Sequence, residues 1–193
     1  MAEYDPLLAA RAEPGEDLQR ARDLFAAASR PFLASPWTWL AWAIVLPATA
    51  LATPLVLSAW GGFAVLGLWS GAILVGGAVE LGGMRRGARR HQRTALAGWA
   101  LSVQGNLSLV AVALSGAALL AGQARLLPGI WLLLLGHSFF LLGSLAFPPF
   151  RFYGLIYQAA GAIALWPALD SLLVFAVATA LGNLWMAWSV WRQ

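Results

Sequence analysis

Six side chains stand out because they are polar and sit inside long apolar runs: Glu80, Gln104, Asn106, His137, Gln158 and Asn183. A polar group in hydrocarbon is costly, so each asks for a partner or a task. Glu80 can hold a cation or carry a proton. It can also pair at the interface with Arg85 or Arg86, about one turn on, which avoids a buried charge. His137, in Leu135-Gly136-His137-Ser138, can titrate, relay a proton or ligate a metal centre. Gly136 leaves room for a flat ligand, so one expectation at His137 is a pigment or haem-type cofactor. The other is an imidazole bonded to a neighbouring Asn or Gln. The amides Gln104, Asn106, Gln158 and Asn183 suit two roles. They can glue helices together at about 0.6 kcal/mol per contact, or they can line a polar cavity for a small solute or head group.

What is missing narrows the chemistry. All 12 cationic residues are arginine, so lysine Schiff-base and P-loop chemistry are excluded. There is no cysteine, which removes disulfides, thiolate metal sites, iron–sulfur clusters and covalent c-type haem. His91 and His137 lack the paired spacing of a two-histidine metal motif. Glu80 has no second acid beside it, so carboxylate dyads are excluded. Asp170 falls at a turn and His137 in mid-span, too far apart to couple to a serine. No catalytic constellation is found and no metal site is expected.

The elements that must position these groups are membrane helices. The chain is 61% hydrophobic and 10% charged, with mean hydropathy +0.74, against about 45–50% and about 25% in soluble domains. The long apolar runs lack period-2 alternation, which excludes a barrel. A helix needs about 20 residues to cross the hydrocarbon. The runs predict six spans, at 37–59, 61–83, 95–121, 128–147, 153–167 and 171–191, so the fold class is an all-α, six-helix bundle. The fifth is short and follows Pro148-Pro149, which leaves a half-span or a broken buried helix open. Residues 1–35 form a polar lead-in without the layout of a removable signal peptide. Within it Leu18, Ala21, Phe25 and Ala28 mark an amphipathic helix, lying on the membrane or packing on the bundle. Residues 36–193 form the membrane domain.

Under this reading eleven arginines face one side and only Arg125 the other. The positive-inside rule then places both termini in the cytoplasm of a bacterial-type inner membrane. The segment 84–93 carries Arg85, Arg86, Arg89, Arg90 and Arg93. It either sets topology or grips lipid and phosphate through bidentate guanidinium groups. Its basic character points to anionic lipid and not to nucleic acid. Trp185, Trp188 and Trp191 recur every third residue and either anchor the helix at head-group depth, meet a partner, or stack on a pigment. Gly67 and Gly71 form a G-x-x-x-G match, with Gly76 and Gly77 following, so span two is expected to be central or oligomer-forming.

Three short matches run in the same order through the two halves. They pair 36–40 with 128–132, 71–73 with 161–163, and Gly105-Asn106-Leu107 with Gly182-Asn183-Leu184. They suggest an inverted 3+3 repeat of the kind found in transporters. The leading expectation is a non-enzymatic helix-bundle subunit, packing against other membrane chains or its own copies. The alternatives are a small transporter or channel using the polar set, and an intramembrane enzyme acting on lipid head groups.

Overall fold

The computed structural model describes residues 35–88, 95–145 and 149–192. The amphipathic segment near the N-terminus lies outside these, as do Arg89, Arg90, His91, Arg93 and the Arg86 side chain. The described residues form helices α1 (Pro36–Ala88), α2 (Ala95–Leu120), α3 (Leu127–Leu145), α4 (Pro149–Ala164) and α5 (Ser171–Trp191), with a 3-10 turn at Ala124–Leu126. No strand occurs among them. Four helical segments are long and apolar enough to cross a membrane: Pro36–Gly83, Ser102–Leu120, Ala124–Gly143 and Ser171–Trp191.

The first of these is folded in two. At Gly61 the backbone leaves the helix with φ 76° and ψ −175°, a conformation glycine adopts without a Cβ penalty. The arms 36–60 and 62–88 run back along each other. Trp69 Nε1 donates to Thr53 Oγ1 at 3.0 Å, Trp42 lies over Gly76, and Gly83 faces Thr38. In one straight rod, residues 42 and 76 would lie about 51 Å apart. The break expected between 59 and 61 thus falls at Gly61.

Local chemistry fixes the other ends. α2 stops in a Schellman turn: Gly122 takes φ 68°, Gln123 N–H donates to the Ala118 carbonyl at 2.8 Å and Gly122 N–H to that of Leu119 at 3.0 Å. Asp170 caps α5, accepting from the N–H groups of Leu172 and Leu173 at 3.0 and 3.1 Å. The fifth expected span is displaced. α4 starts at Pro149, not at 153, because proline fits the first helical position, where no N–H is needed. Its 16 residues reach about 24 Å, short of the hydrocarbon thickness of about 30 Å.

Packing is uneven. α3 and α4 form the closest pair, α5 packs on α4 and α1, and α2 packs chiefly on α3. The second-half helices α3, α4 and α5 contact one another, whereas α2 shares no comparable contact with α1. The two halves are therefore packed differently, and the repeat finds no support here. Apolar side chains cover the outside: Phe63 is 91% exposed, Leu120 93% and Leu55 71%. Such a surface suits lipid and would be a liability in water.

Both ends of the bundle carry exposed tryptophans. Trp37, Trp188 and Trp191 lie at one end, Trp60 and Trp166 at the other. The 23 residues from Trp37 to Trp60 span about 35 Å of helix, which fits an aromatic belt at each interface.

Candidate functional site

The closest helix contact is built by glycines seven residues apart, a spacing that repeats one helix face. On α3 these are Gly129, Gly136 and Gly143, and on α4 Gly154 and Gly161. A Cβ on Gly136 would sit 2.7 Å from the Gly154 carbonyl oxygen and from the Gln158 nitrogen. A Cβ on Gly161 would sit 2.8 Å from the Leu133 nitrogen. The two backbones therefore touch along the whole hairpin, as small residues permit in lipid.

This hairpin presents Tyr153 and Tyr157, one turn apart on α4 and both 1% exposed, to Asn183 on α5. Gly182 makes the space: a Cβ there would lie 2.6 Å from the Tyr153 ring and 2.7 Å from that of Tyr157. Each tyrosine hydroxyl has one proton to give. The consistent assignment is a closed ring. Tyr153 donates to Asn183 Oδ1 at 2.9 Å, Asn183 Nδ2 to the Tyr157 hydroxyl at 3.1 Å, and Tyr157 to the Tyr153 hydroxyl at 2.6 Å. The second Asn183 amide proton goes to the Thr179 carbonyl at 2.7 Å. All the donors are used, and bonds that close on themselves polarise one another.

Aromatic rings seal this site. Phe139 stacks on Phe150 with centroids 5.5 Å apart and lies 4.7 Å from Tyr153. Trp39 of α1 meets Phe150 at 5.6 Å and Tyr153 at 5.7 Å. Neither tyrosine was singled out from the sequence. The available signal was their i, i+4 spacing beside Gly154 and Gly161.

The other expected site residues are dispersed. Gln104 accepts from Ser138, joining α2 to α3, and Trp131 Nε1 donates to Ser115 across the same pair at 3.0 Å. The crevice lined by Gln104, Ser108 and Trp131 leaves no room for a water. Glu80 is half-buried and accepts a hydrogen bond from the Trp42 side chain within the α1 hairpin. Gln158 lies half-buried over Gly136. His137 and Asn106 are exposed on the apolar surface. The six polar residues thus do not meet in one chamber. Among the described residues no buried side-chain nitrogen or oxygen lacks a partner, and no group of three or more His, Cys, Asp or Glu could hold a metal.

The expected packing glycines divide as well. Gly76 seats Trp42, while a Cβ on Gly67, Gly71 or Gly77 would meet nothing within 4 Å. The face of the second arm that carries Gly67 and Gly71 is therefore open, while the same arm seats Trp69 edge-on against Phe175 of α5 at 5.7 Å. Trp185 packs on the core, and Trp188 and Trp191 are 50% and 69% exposed.

The described arginines sort by end. Arg85 lies two residues beyond Gly83, which faces Ser35 and Thr38. Arg151 follows Phe150, which touches Trp39, and Arg192 shares a groove with Leu40. Arg125 lies at the opposite end, in the turn before α3.

These features define an all-helical bundle with four segments long and apolar enough to cross a membrane, whose buried side-chain polar atoms are satisfied among the described residues. Comparison with known proteins gives no match: no family model, no curated protein and no solved structure resembles the chain.

Proposed function

We propose that this chain is a non-enzymatic subunit of a larger membrane assembly, crossing a bacterial-type cytoplasmic membrane six times with both ends inside. The observation that carries the reading is α2. Its apolar segment Ser102–Leu120 is only 6% buried, against 44% for Ser171–Trp191. It nevertheless exposes Asn106, about 16 Å from the helix start. An amide left in an apolar medium without a hydrogen bond costs roughly 2–7 kcal/mol. The same Gly-Asn pair on α5 is covered by two tyrosines, whereas Gly105 has nothing within 4 Å of its Cβ position. A helix from another chain, laid on this face, would supply Asn106 with its partner. His137, exposed on α3, adds a second polar position of this kind.

The fold-back at Gly61 supports two of the six crossings, and α4, about 24 Å long and packed on α3 and α5, is taken as a short fifth crossing. The arginine distribution supports the orientation, with Arg85, Arg151 and Arg192 at one end and Arg125 at the other. Solute transport and head-group chemistry have no comparable support, because the polar residues are spread over separate helix contacts.

A photo-crosslinking residue at position 106 tests the proposal in native membranes. It should trap a polypeptide, while the same group at Phe63, 91% exposed, should trap lipid. Lipid adducts at both positions would overturn it.

A further inference from the structure

We propose that the groove between the first arm of α1 and the last turns of α5 binds one anionic phospholipid. The groove is open, has a volume of about 380 Å³, and is lined by Leu40, Leu184, Ala187, Trp188, Trp191 and Arg192. Five of these give an apolar wall, and the sixth puts a charge at its end. From Leu184 to Arg192 the wall runs about 12 Å along the helix, so an acyl chain can lie along it.

Arg192 is arranged to meet the head group. Its guanidinium carbon sits 3.8 Å from the Trp188 ring centroid. Stacking uses the flat face of the guanidinium and leaves its N–H edge for a phosphate. No described carboxylate competes for it. Asp170 caps the other end of α5, about 33 Å away along the helix, and Glu80 is held by Trp42. Arg85 and Arg151 lie at the same end of the bundle as Arg192, so the local potential favours an anion. Charge complementarity therefore selects phosphatidylglycerol over a zwitterionic lipid, and the tryptophan pair places the phosphate at head-group depth.

Native mass spectrometry of the full chain, released from equimolar phosphatidylglycerol and phosphatidylcholine nanodiscs, tests this. The unmodified protein should retain one phosphatidylglycerol after phosphatidylcholine has been stripped. Arg192→Gln should lower that retention roughly fivefold, the factor that about 1 kcal/mol per arginine near the surface corresponds to. Leu184→Trp, which fills the groove from an exposed position, should lower it without changing charge. Arg125→Gln, at the far end, should leave it unchanged. Equal retention of the two lipids would overturn the proposal. So would full retention in Arg192→Gln or Leu184→Trp, or an equal loss in Arg125→Gln.

Discussion

Replacing Gly136 by alanine tests the core of the bundle at a single methyl group. The new Cβ would meet the Gly154 carbonyl oxygen and the Gln158 nitrogen at 2.7 Å, where ordinary contact begins at 3.4 Å. Both obstacles are backbone, so no side chain can swing aside. α3 and α4 must separate by about 0.7 Å at this point. A radial gap of about 0.5–1 Å forfeits a quarter to a half of each dispersion contact along the seam, and overpacking of this kind costs about 1–3 kcal/mol. Alanine returns up to about 1 kcal/mol through its better helix propensity. The expected net loss is about 1–2 kcal/mol. Gly154→Ala should behave alike, its Cβ lying 2.5 Å from the Gly136 oxygen and the Phe140 nitrogen. The double variant should cost less than the sum, because one separation relieves both clashes. Gly67→Ala and Gly71→Ala, with nothing within 4 Å, should leave the isolated chain unchanged or slightly more stable. Reversible unfolding in mixed micelles, followed by tryptophan fluorescence, measures all five. A Gly136→Ala loss no larger than that of Gly67→Ala would refute the packing argument.

Tyr153→Phe removes one hydroxyl from the closed ring and leaves Asn183 Oδ1 without its donor. The same unfolding assay should show a loss of about 1–2 kcal/mol, at the upper end for hydrogen bonds between membrane helices. Trp69→Phe breaks the bond to Thr53 and trims the edge-on contact with Phe175, so a loss above the roughly 0.6 kcal/mol of the bond alone is expected there. Asp170→Ala removes the cap of α5 and should cost about 0.5–2 kcal/mol, read as a lower unfolding midpoint. Asn106→Leu should leave the stability of the isolated chain unchanged or higher while weakening its association with partner chains, measured by particle size in a mild detergent.

Much of the fold was legible because membrane helices are set by length and by breaks. The turn at Gly61, the stop after Leu120 and the start at Ser171 all carry glycine or aspartate where those residues have a local job. The expected packing glycines divide, with Gly76 seating Trp42 and Gly67, Gly71 and Gly77 facing open space. Gly67 and Gly71 at four-residue spacing drew attention, yet the glycines that bring helices together lie seven apart, at 129, 136 and 143 and at 154 and 161. Both spacings return to one helix face, and only a facing helix decides which face is used. Pro148-Pro149 read as a break, although Pro149 is the first residue of α4.

The site was half visible. Asn183 was identified, but its partners Tyr153 and Tyr157 count as hydrophobic by composition. Ser138, the partner of Gln104, stands out in the sequence only as the neighbour of His137. Asn106 and Asn183 stand in the same Gly-Asn-Leu setting, yet one is exposed and the other buried. Where a helix is apolar all round, its sequence does not say which side faces protein. The burial of α5 and the bareness of α2 come from tertiary packing alone.

The bare face of α2 is the surface proposed to meet another polypeptide. The most direct measurement is the mass of the particle extracted with its native lipids, without detergent. Several polypeptides per particle, falling to a single chain of 20.5 kDa in Asn106→Leu, is the predicted result. A lone 20.5 kDa chain from unmodified membranes, with Asn106 in contact with lipid, would contradict it.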